Sequence, residues 1–368
     1  MIILTLKNGE ITKPGGINKA ILELNKELTK RGHECIVITT NDSNLHKDEI
    51  YQGFRIVRIN KGFNWLYGLN LNVYKYLKTN LMKLKPDIIH VHGFHGLFSL
   101  EVITLIKRFD NSIPIIFTPH YDPLNRSTIA GKLLGNFYVN VFGKKILNLV
   151  DHVISISNFE AKNIRKISGP AITIVPHGVD NINIKNKIKD DLIKLLYVGY
   201  LLDYKGVQYI IESLNRLVYV ENIQKIKLTI IGEGEFKETL IQLSKKLGVY
   251  EKINWYPFLP HKKILEEMEN HDIFLLLSKT EGYGIVVAES LSRGTPTIVT
   301  KRTALEEFTT EEGCFGVECP PKPYEVADLI VKIYKNNVKV GPFTDKIRTW
   351  DLVAKDYEKV YLNITERS

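Results

Sequence analysis

The chain has 368 residues, of which 44% are hydrophobic and 25% charged, and carries a net charge of +9. That length exceeds one ordinary core and implies two domains. The composition excludes a disordered chain, three cysteines (Cys35, Cys314, Cys319) exclude a disulfide scaffold and fit a reducing compartment, and no apolar run approaches the ~18–20 residues of a membrane-spanning helix.

In chain order, Met1–Leu6 is a short apolar run without a basic leader or a small-residue cleavage site, and reads as a first strand rather than a secretory signal. Pro14-Gly15-Gly16 is a loop. Ile17 to Lys30 has helical spacing, with Ile21, Leu24 and Leu28 on one face, and Gly32 stands where helices stop. Strands follow at Cys35–Thr39, Asp87–His92, Pro114–Thr118 and His152–Ser157. Positions 181–192 are polar and poorly patterned and read as a linker. The alternation restarts with strands at Ile193–Tyr197, Ile226–Ile231, Lys252–Trp255, Ile273–Leu277 and Pro296–Thr300, interleaved with helices at Val207–Val218, Ile264–Glu269 and Ile285–Ser292. Short β-rich runs alternating with helices argue for parallel sheets covered on both faces. The expectation is two doubly wound α/β domains, 1–180 and 193–345, facing a central cleft, with a terminal helix in 346–368 whose Trp350, Val353, Tyr357 and Tyr361 share a face. Ligands of such sheets sit beyond the carboxyl ends of the strands.

The positive charge is confined to the first half. Residues 1–185 hold 24 Lys and Arg against 14 Asp and Glu, a net +10; the remainder holds 26 against 27, a net −1. Such a half attracts anionic partners or is a solvated lysine-rich surface. No nucleic-acid recognition motif accompanies it.

Three strand-to-helix turns either suit anions or hydroxyls or are plain turns with solvated side chains. Lys13-Pro14-Gly15-Gly16-Ile17 places glycines before a helix N-terminus, where backbone N–H groups can approach a phosphate. Val198-Gly199 to Lys205-Gly206 ends a strand and opens a helix with a lysine that can neutralise a diphosphate. Glu281-Gly282-Tyr283-Gly284-Ile285 precedes a helix that carries Glu289. A carboxylate there can accept two hydroxyls of a sugar diol.

Glu281 and Glu289, with their Gly282-Tyr283-Gly284 and Gly294-Thr295-Pro296 flanks, resemble the signature of glycosyltransferase family 4, the glycogen-synthase-like group 1 glycosyltransferases, retaining nucleotide-sugar enzymes of the GT-B fold. The resemblance runs the length of the chain. Pro14-Gly15-Gly16-Ile17, Arg31-Gly32-His33-Glu34, Asp87 to His92, Pro176-His177-Gly178-Val179-Asp180, Lys205-Gly206 and Ile231-Gly232-Glu233-Gly234 come in the family's order. It implies an acceptor-binding N-terminal domain, a nucleotide-sugar-binding C-terminal one, and a terminal helix in 346–368 that crosses back to pack on the N-terminal domain. Glu281, with the N–H groups of Gly282, Tyr283, Gly284 and Ile285, would meet the donor sugar and diphosphate. Glu289 would take the ribose hydroxyls, and Gly199 would line the donor. Lys205 would neutralise the leaving diphosphate. Gly15 and Gly16 would line the N-domain wall, His120 would stand near the donor sugar, and Asn18, His92 and Tyr121 fall on the acceptor side.

Three departures stand out. Tyr200 replaces an arginine usual in the family, His177 replaces an asparagine, and Asn18-Lys19 replaces an acidic-basic pair. No Asp-x-Asp triplet occurs, which with Lys205 argues for metal-independent transfer. His90, His92 and His95 lack a carboxylate or thiol partner and read as packed or cleft-lining rather than as a metal site. No carboxylate is identifiable for a double displacement, so retention would follow a front-face route. The expected donor is a UDP- or GDP-sugar, and the acceptor a glycan or a lipid-linked molecule. Lysine- and aromatic-rich stretches at Phe63–Lys85 (Trp65, Leu66, Leu69, Tyr74) and Ile129–Leu149 (Lys132, Leu133, Phe137, Val141) are either sheet-covering helices or a peripheral contact with an anionic membrane. The location expected is cytoplasmic, at the inner face of the membrane where that contact forms. A nucleotide-sugar epimerase or hydrolase would need an acid–base pair that the chain does not display. Tyr200 keeps open the alternative of a catalytically weak sugar-nucleotide-binding scaffold.

Overall fold

The computed structural model describes residues 1–41, 47–60, 70–94, 96–123, 135, 137–167, 169–184, 191–341, 343–344 and 346–366. Trp65, Leu66, Leu69, His95, Lys132 and Leu133 lie outside them, as do positions 185–190 of the stretch read as a linker. The chain forms two compact units, Met1–Gly178 with Trp350–Ser368, and Val179–Thr349. The described ends of the 181–192 stretch lie within the second unit.

The first unit runs β1 (Ile2–Lys7), α1 (Gly16–Lys30), β2 (Glu34–Asn41), β3 (Asp48–Tyr51), β4 (Phe54–Asn60), α2 (Leu71–Leu84), β5 (Ile88–His92), α3 (Phe98–Phe109) and β6 (Ile115–Thr118). A π-helical turn at Val139–Gly143 leads into α4 (Lys144–Leu149), β7 (His152–Ser155), α5 (Asn158–Arg165) and β8 (Ile172–Ile174). Its sheet has the order β3-β4-β2-β1-β5-β6-β7-β8, parallel throughout except for the edge strand β3. Ile3, Leu4, Leu6, Ile88, Ile89, Val91 and Phe117 are fully buried, which is why these strands read as continuous apolar runs. Asn70 caps α2 by accepting from the N–H groups of Asn72 and Val73, and Ser157 caps α5 by accepting from Glu160.

The second unit runs β9 (Ile193–Val198), a 3₁₀ turn (Asp203–Lys205), α6 (Val207–Tyr219), β10 (Ile226–Ile231), α7 (Lys237–Lys246), β11 (Ile253–Tyr256), α8 (His261–Asn270) and β12 (Ile273–Leu276). It continues with α9 (Ile285–Ser292), β13 (Thr297–Thr300), a 3₁₀ segment (Ala304–Thr310), β14 (Cys314–Val317) and α10 (Pro323–Lys335). The sheet order is β11-β10-β9-β12-β13-β14, all parallel. α6 buries Val207, Ile210, Ile211, Leu214 and Leu217, each worth roughly 1.5–3 kcal/mol in transfer free energy.

The terminal helix α11 (Trp350–Thr365) belongs to the first unit. Trp350, Val353, Tyr357 and Tyr361 are buried. Glu358 ties the helix to the end of α1, 2.8 Å from both Arg31 and His33.

In both sheets the chain first moves outward and then returns past its starting strand. β1 leads to β2 and β4 on one side and β5 closes on the other; β9 leads to β10 and β11, and β12 closes on the other. Each reversal marks a ligand-binding edge within its own sheet, at the carboxyl ends of β1 and β5 in the first unit and of β9 and β12 in the second.

Candidate active site

The reversal in the second unit gathers two of the predicted residues. Lys205 hangs from the turn after β9 and Glu281 from the turn after β12. Lys205 Nζ donates to Glu281 Oε1, which also accepts from Ser278 Oγ at 3.4 Å. Both side chains are largely shielded, at 16% and 17% exposure. The turn is held close by glycine: Gly206 has φ +76°, and a Cβ there would stand 1.9 Å from the carbonyl oxygen of Leu277. Gly284, at φ +102°, caps α9, and a Cβ on it would meet Leu305 Cδ2 at 2.4 Å. Gly199 and Gly282 flank the same two turns. The N-terminus of α9, beginning at Ile285, therefore opens beside the ion pair and offers first-turn N–H groups and a favourable dipole to an anion. Tyr283 points away from this opening. Its ring packs on Phe308 at 5.2 Å, its hydroxyl donates to the Lys346 carbonyl, and burial pushes its phenol up.

Glu289 sits a turn and a half into α9, and its side chain is 3% exposed. His261 Nε2 lies 2.8 Å from its Oε1, and His261 Nδ1 lies 3.3 Å from Asp180 Oδ2. Tyr200, 41% exposed, packs edge-on to Phe258 at 5.0 Å.

In the first unit the carboxyl ends of β5 and β6 carry a stack of imidazoles. His90 and His92 point to one face of β5, as alternate residues must, with centroids 3.9 Å apart. His92 Nδ1 is 3.1 Å from His120 Nε2, and the His120 ring stacks on His177 at 5.8 Å. His90 is held by Tyr361 Oη of α11 (2.7 Å) and Thr118 Oγ1 (2.8 Å). Burial keeps His90, His92 and His177 neutral. His90 and His177 are each lowered to about 3, and His92 is held well below the usual imidazole range by burial, then by His90, His177 and Lys7. His120 has a left-handed backbone, φ 49°, costing of order 1–3 kcal/mol, the kind of strain that clusters at functional sites. The next peptide N–H, on Tyr121, donates to the buried carboxylate of Glu160. That carboxylate also accepts from Ile156 N and Ser155 Oγ, and burial raises its carboxyl to about 7.

Two of the predicted acceptor-side residues, Asn18 and Tyr121, have buried side chains. Asn18 is buried and donates to the carbonyls of Glu10 and Lys13, which closes the loop onto α1. The Tyr121 ring packs on Phe94 at 5.2 Å within the hydrophobic core. Gly15 caps α1, whose first residue is Gly16. The same loop is anchored by Glu10, buried against Arg58 at 3.1 Å. Lys7, opposite His92 in the β1–β5 register, is brought down to about 8 by burial. Lys7, Glu160 and His261 carried no motif; only their positions in the fold reveal them. Among the described residues no group of three or more His, Cys, Asp or Glu could hold a metal ion.

The glycosyltransferase family 4 model matches residues 14–181, and the glycosyl transferases group 1 model matches residues 179–348. The glycogen synthase of Mycobacterium tuberculosis is 25% identical over 348 residues, 87% of this chain and 81% of that protein. The alpha-monoglucosyldiacylglycerol synthase of Acholeplasma laidlawii is 24% identical, over 96% of this chain and 94% of that one. The crystal structure of Anabaena HepE in complex with UDP-glucose matches with a TM-score of 0.70 at 17% identity, covering 100% of this chain and 98% of that one. Two consecutive α/β units with parallel-sheet cores, each matched by its own half of the family, make this chain a glycosyltransferase of family 4, group 1, with the GT-B fold.

Proposed function

We propose that this glycosyltransferase moves a hexose-type sugar from a UDP- or GDP-sugar to a glycan or lipid-linked acceptor, with retention at the anomeric carbon and without a metal. The observation that carries the reading is the Lys205–Glu281 pair at the β9–β12 reversal, beside the N-terminus of α9. Lys205 has three donors, enough to serve Glu281 and a diphosphate oxygen together. As the glycosidic bond breaks, negative charge grows on the leaving phosphate, and a lysine and helix N–H groups already in position stabilise it without reorganisation. Glu281 accepts hydroxyls of the donor sugar, and Glu289 accepts those of the ribose. The backbone of Gly199 and of Gly282 to Ile285 lines the diphosphate, and Gly15 and Gly16 form the first unit's candidate anion-binding loop. His120 and His92, 3.1 Å apart after β6 and at the end of β5, are the first unit's candidate sugar-facing residues. The departing phosphate takes the acceptor's proton, so no protein base is needed. The UDP-glucose complex of HepE supports a UDP-sugar, and the names of the two relatives support a glycan or a diacylglycerol-type acceptor.

A peripheral contact with anionic membrane at the cytoplasmic face is part of this proposal. On α2, Val73, Leu77 and Leu81 face the core, whereas Leu71 and Met82 are 73% and 63% exposed among Lys75, Lys78 and Lys83. Phe137 and Val141 are likewise exposed near Lys144 and Lys145. No helix among the described residues is long and apolar enough to cross a membrane. Salt-independent absence of co-sedimentation with anionic liposomes would remove this part.

Calorimetric titration with UDP, GDP and their sugar conjugates, with and without EDTA, tests the donor reading. Binding of one nucleotide family, unchanged by EDTA and lost in Lys205→Ala, is expected; no binding by any of them refutes it. An inverted anomer in the product refutes the front-face route.

A further inference from the structure

We propose that His261 is a positioning residue that holds the Glu289 carboxylate in the orientation a ribose diol requires; the inference rests on the donor-site reading above. Glu289 lies inside α9 with its side chain 3% exposed, and a carboxylate so far from water needs donors to offset its desolvation. His261, the first residue of α8, supplies one, with Nε2 2.8 Å from Oε1. Its other ring nitrogen faces a second carboxylate, Asp180 Oδ2, at 3.3 Å. The Glu289 contact needs a proton on Nε2 alone, which the neutral Nε2–H tautomer and the cation both supply. The rigid ring thus links Glu289 to the segment that leads into β9.

A second tie joins the same elements one turn further along. Arg293, the C-cap of α9, pairs with Glu269 of α8 at 3.1 Å and donates to Asn181. The helices are therefore already cross-linked without His261. What His261 adds is specific to Glu289: a donor held on Oε1 restrains rotation of the carboxylate, and with it the direction in which its oxygens accept. A diol read bidentately depends on that direction, whereas a nucleotide lacking the 2′-hydroxyl does not.

The test is equilibrium binding of UDP and 2′-deoxy-UDP, and of GDP and 2′-deoxy-GDP, to wild type and to His261→Ala, His261→Gln and His261→Asn. Wild type is expected to prefer the ribonucleotide about tenfold, the scale of one charge-assisted hydrogen bond. In His261→Ala the ribonucleotide Kd rises about tenfold while the deoxynucleotide Kd moves less than about twofold, so the preference collapses. His261→Gln, whose amide nitrogen reaches the place of Nε2, retains the preference. His261→Asn, reaching only the place of Nδ1, behaves as alanine. Equal weakening toward both nucleotides, or an unchanged ratio in His261→Ala, overturns the role of His261. A wild type that binds none of the four, or binds each pair equally, overturns the donor-site reading itself, and the two failures are told apart by the wild-type arm alone. Thermal melting of each variant checks folding, and the Gln–Asn contrast stands even where alanine does not fold.

Discussion

Gly206→Ala tests the geometry on which the proposed chemistry depends. Gly206 has φ +76°, and an added Cβ would lie 1.9 Å from the Leu277 carbonyl oxygen and 2.6 Å from its carbon. Alanine in the left-handed region costs roughly 1–2 kcal/mol. The clash adds more, because carbon and oxygen without a covalent bond settle at about 3.3–3.6 Å, so the Lys205 turn and the end of β12 must separate by roughly 1.4 Å or more. A total near 3 kcal/mol follows, and at about 2–4 °C per kcal/mol in a domain of this size the melting temperature falls by about 6–12 °C. Lys205 precedes Gly206 and Glu281 follows Leu277 by four positions, so the displacement opens the ion pair between them. A misplacement of about 1 Å in a catalytic constellation costs on the order of 10²-fold in kcat/KM. Gly32→Ala is the control: Gly32 also has a positive φ, +89°, but nothing lies within 4 Å of its Cβ position, so only the roughly 1–2 kcal/mol of the backbone conformation and no activity should be lost. The measurements are thermal unfolding and release of free nucleoside diphosphate from the sugar nucleotide. A Gly206→Ala protein that melts with wild type and transfers at its rate would refute the argument. One that melts low but transfers normally per folded molecule would show that the separation of the turns is harmless to the site.

The imidazole stack should make the protein acid-sensitive. His90 and His177 are lowered to about 3 in the fold, so the unfolded chain binds more protons between about pH 6.5 and 3 and stability falls as pH falls through that window. Each ring costs about 2 kcal/mol at pH 5, while Glu160, raised to about 7, works in the opposite direction between pH 7 and about 4.5. His177→Asn should therefore flatten the pH dependence of the urea midpoint between pH 7 and 5 by about one imidazole's share; an unchanged slope would contradict burial as the cause. Tyr200→Arg restores the cation usual in the family at an exposed site beside Phe258, and should tighten nucleoside diphosphate binding several-fold, on the scale of a charge-assisted hydrogen bond. Unchanged affinity in calorimetry would mean that Tyr200 does not face the diphosphate.

The alternation of buried apolar runs with helices was legible along the chain because a parallel strand covered on both faces must be apolar at every position. Ile3, Leu4, Leu6, Ile88, Ile89 and Val91 meet that demand with no exposed surface. The glycines at 206 and 284 were legible as turn residues for a similar reason, since their local backbone excludes side chains. β3, Asp48–Tyr51, was not: it is a short edge strand with charged residues, and periodicity carries no signal there. His261, Lys7 and Glu160 were also illegible as members of a site, because each is an ordinary residue in an ordinary segment.

Composition and spacing thus determined, without any structure, the two α/β halves, the turns that carry Lys205 and Glu281, and the helix that carries Glu289. Tertiary structure decided which of these meet. Lys205 touches Glu281 because β12 returns to the far side of β9, and His90, His92, His120 and His177 stack because β5 and β6 lie side by side with His177 brought back to them. A strand's own residues record how deeply it is buried, since burial acts on each side chain where it stands. They do not record which strand lies beside it, because neighbours in a sheet are chosen by backbone hydrogen bonds that every sequence offers alike.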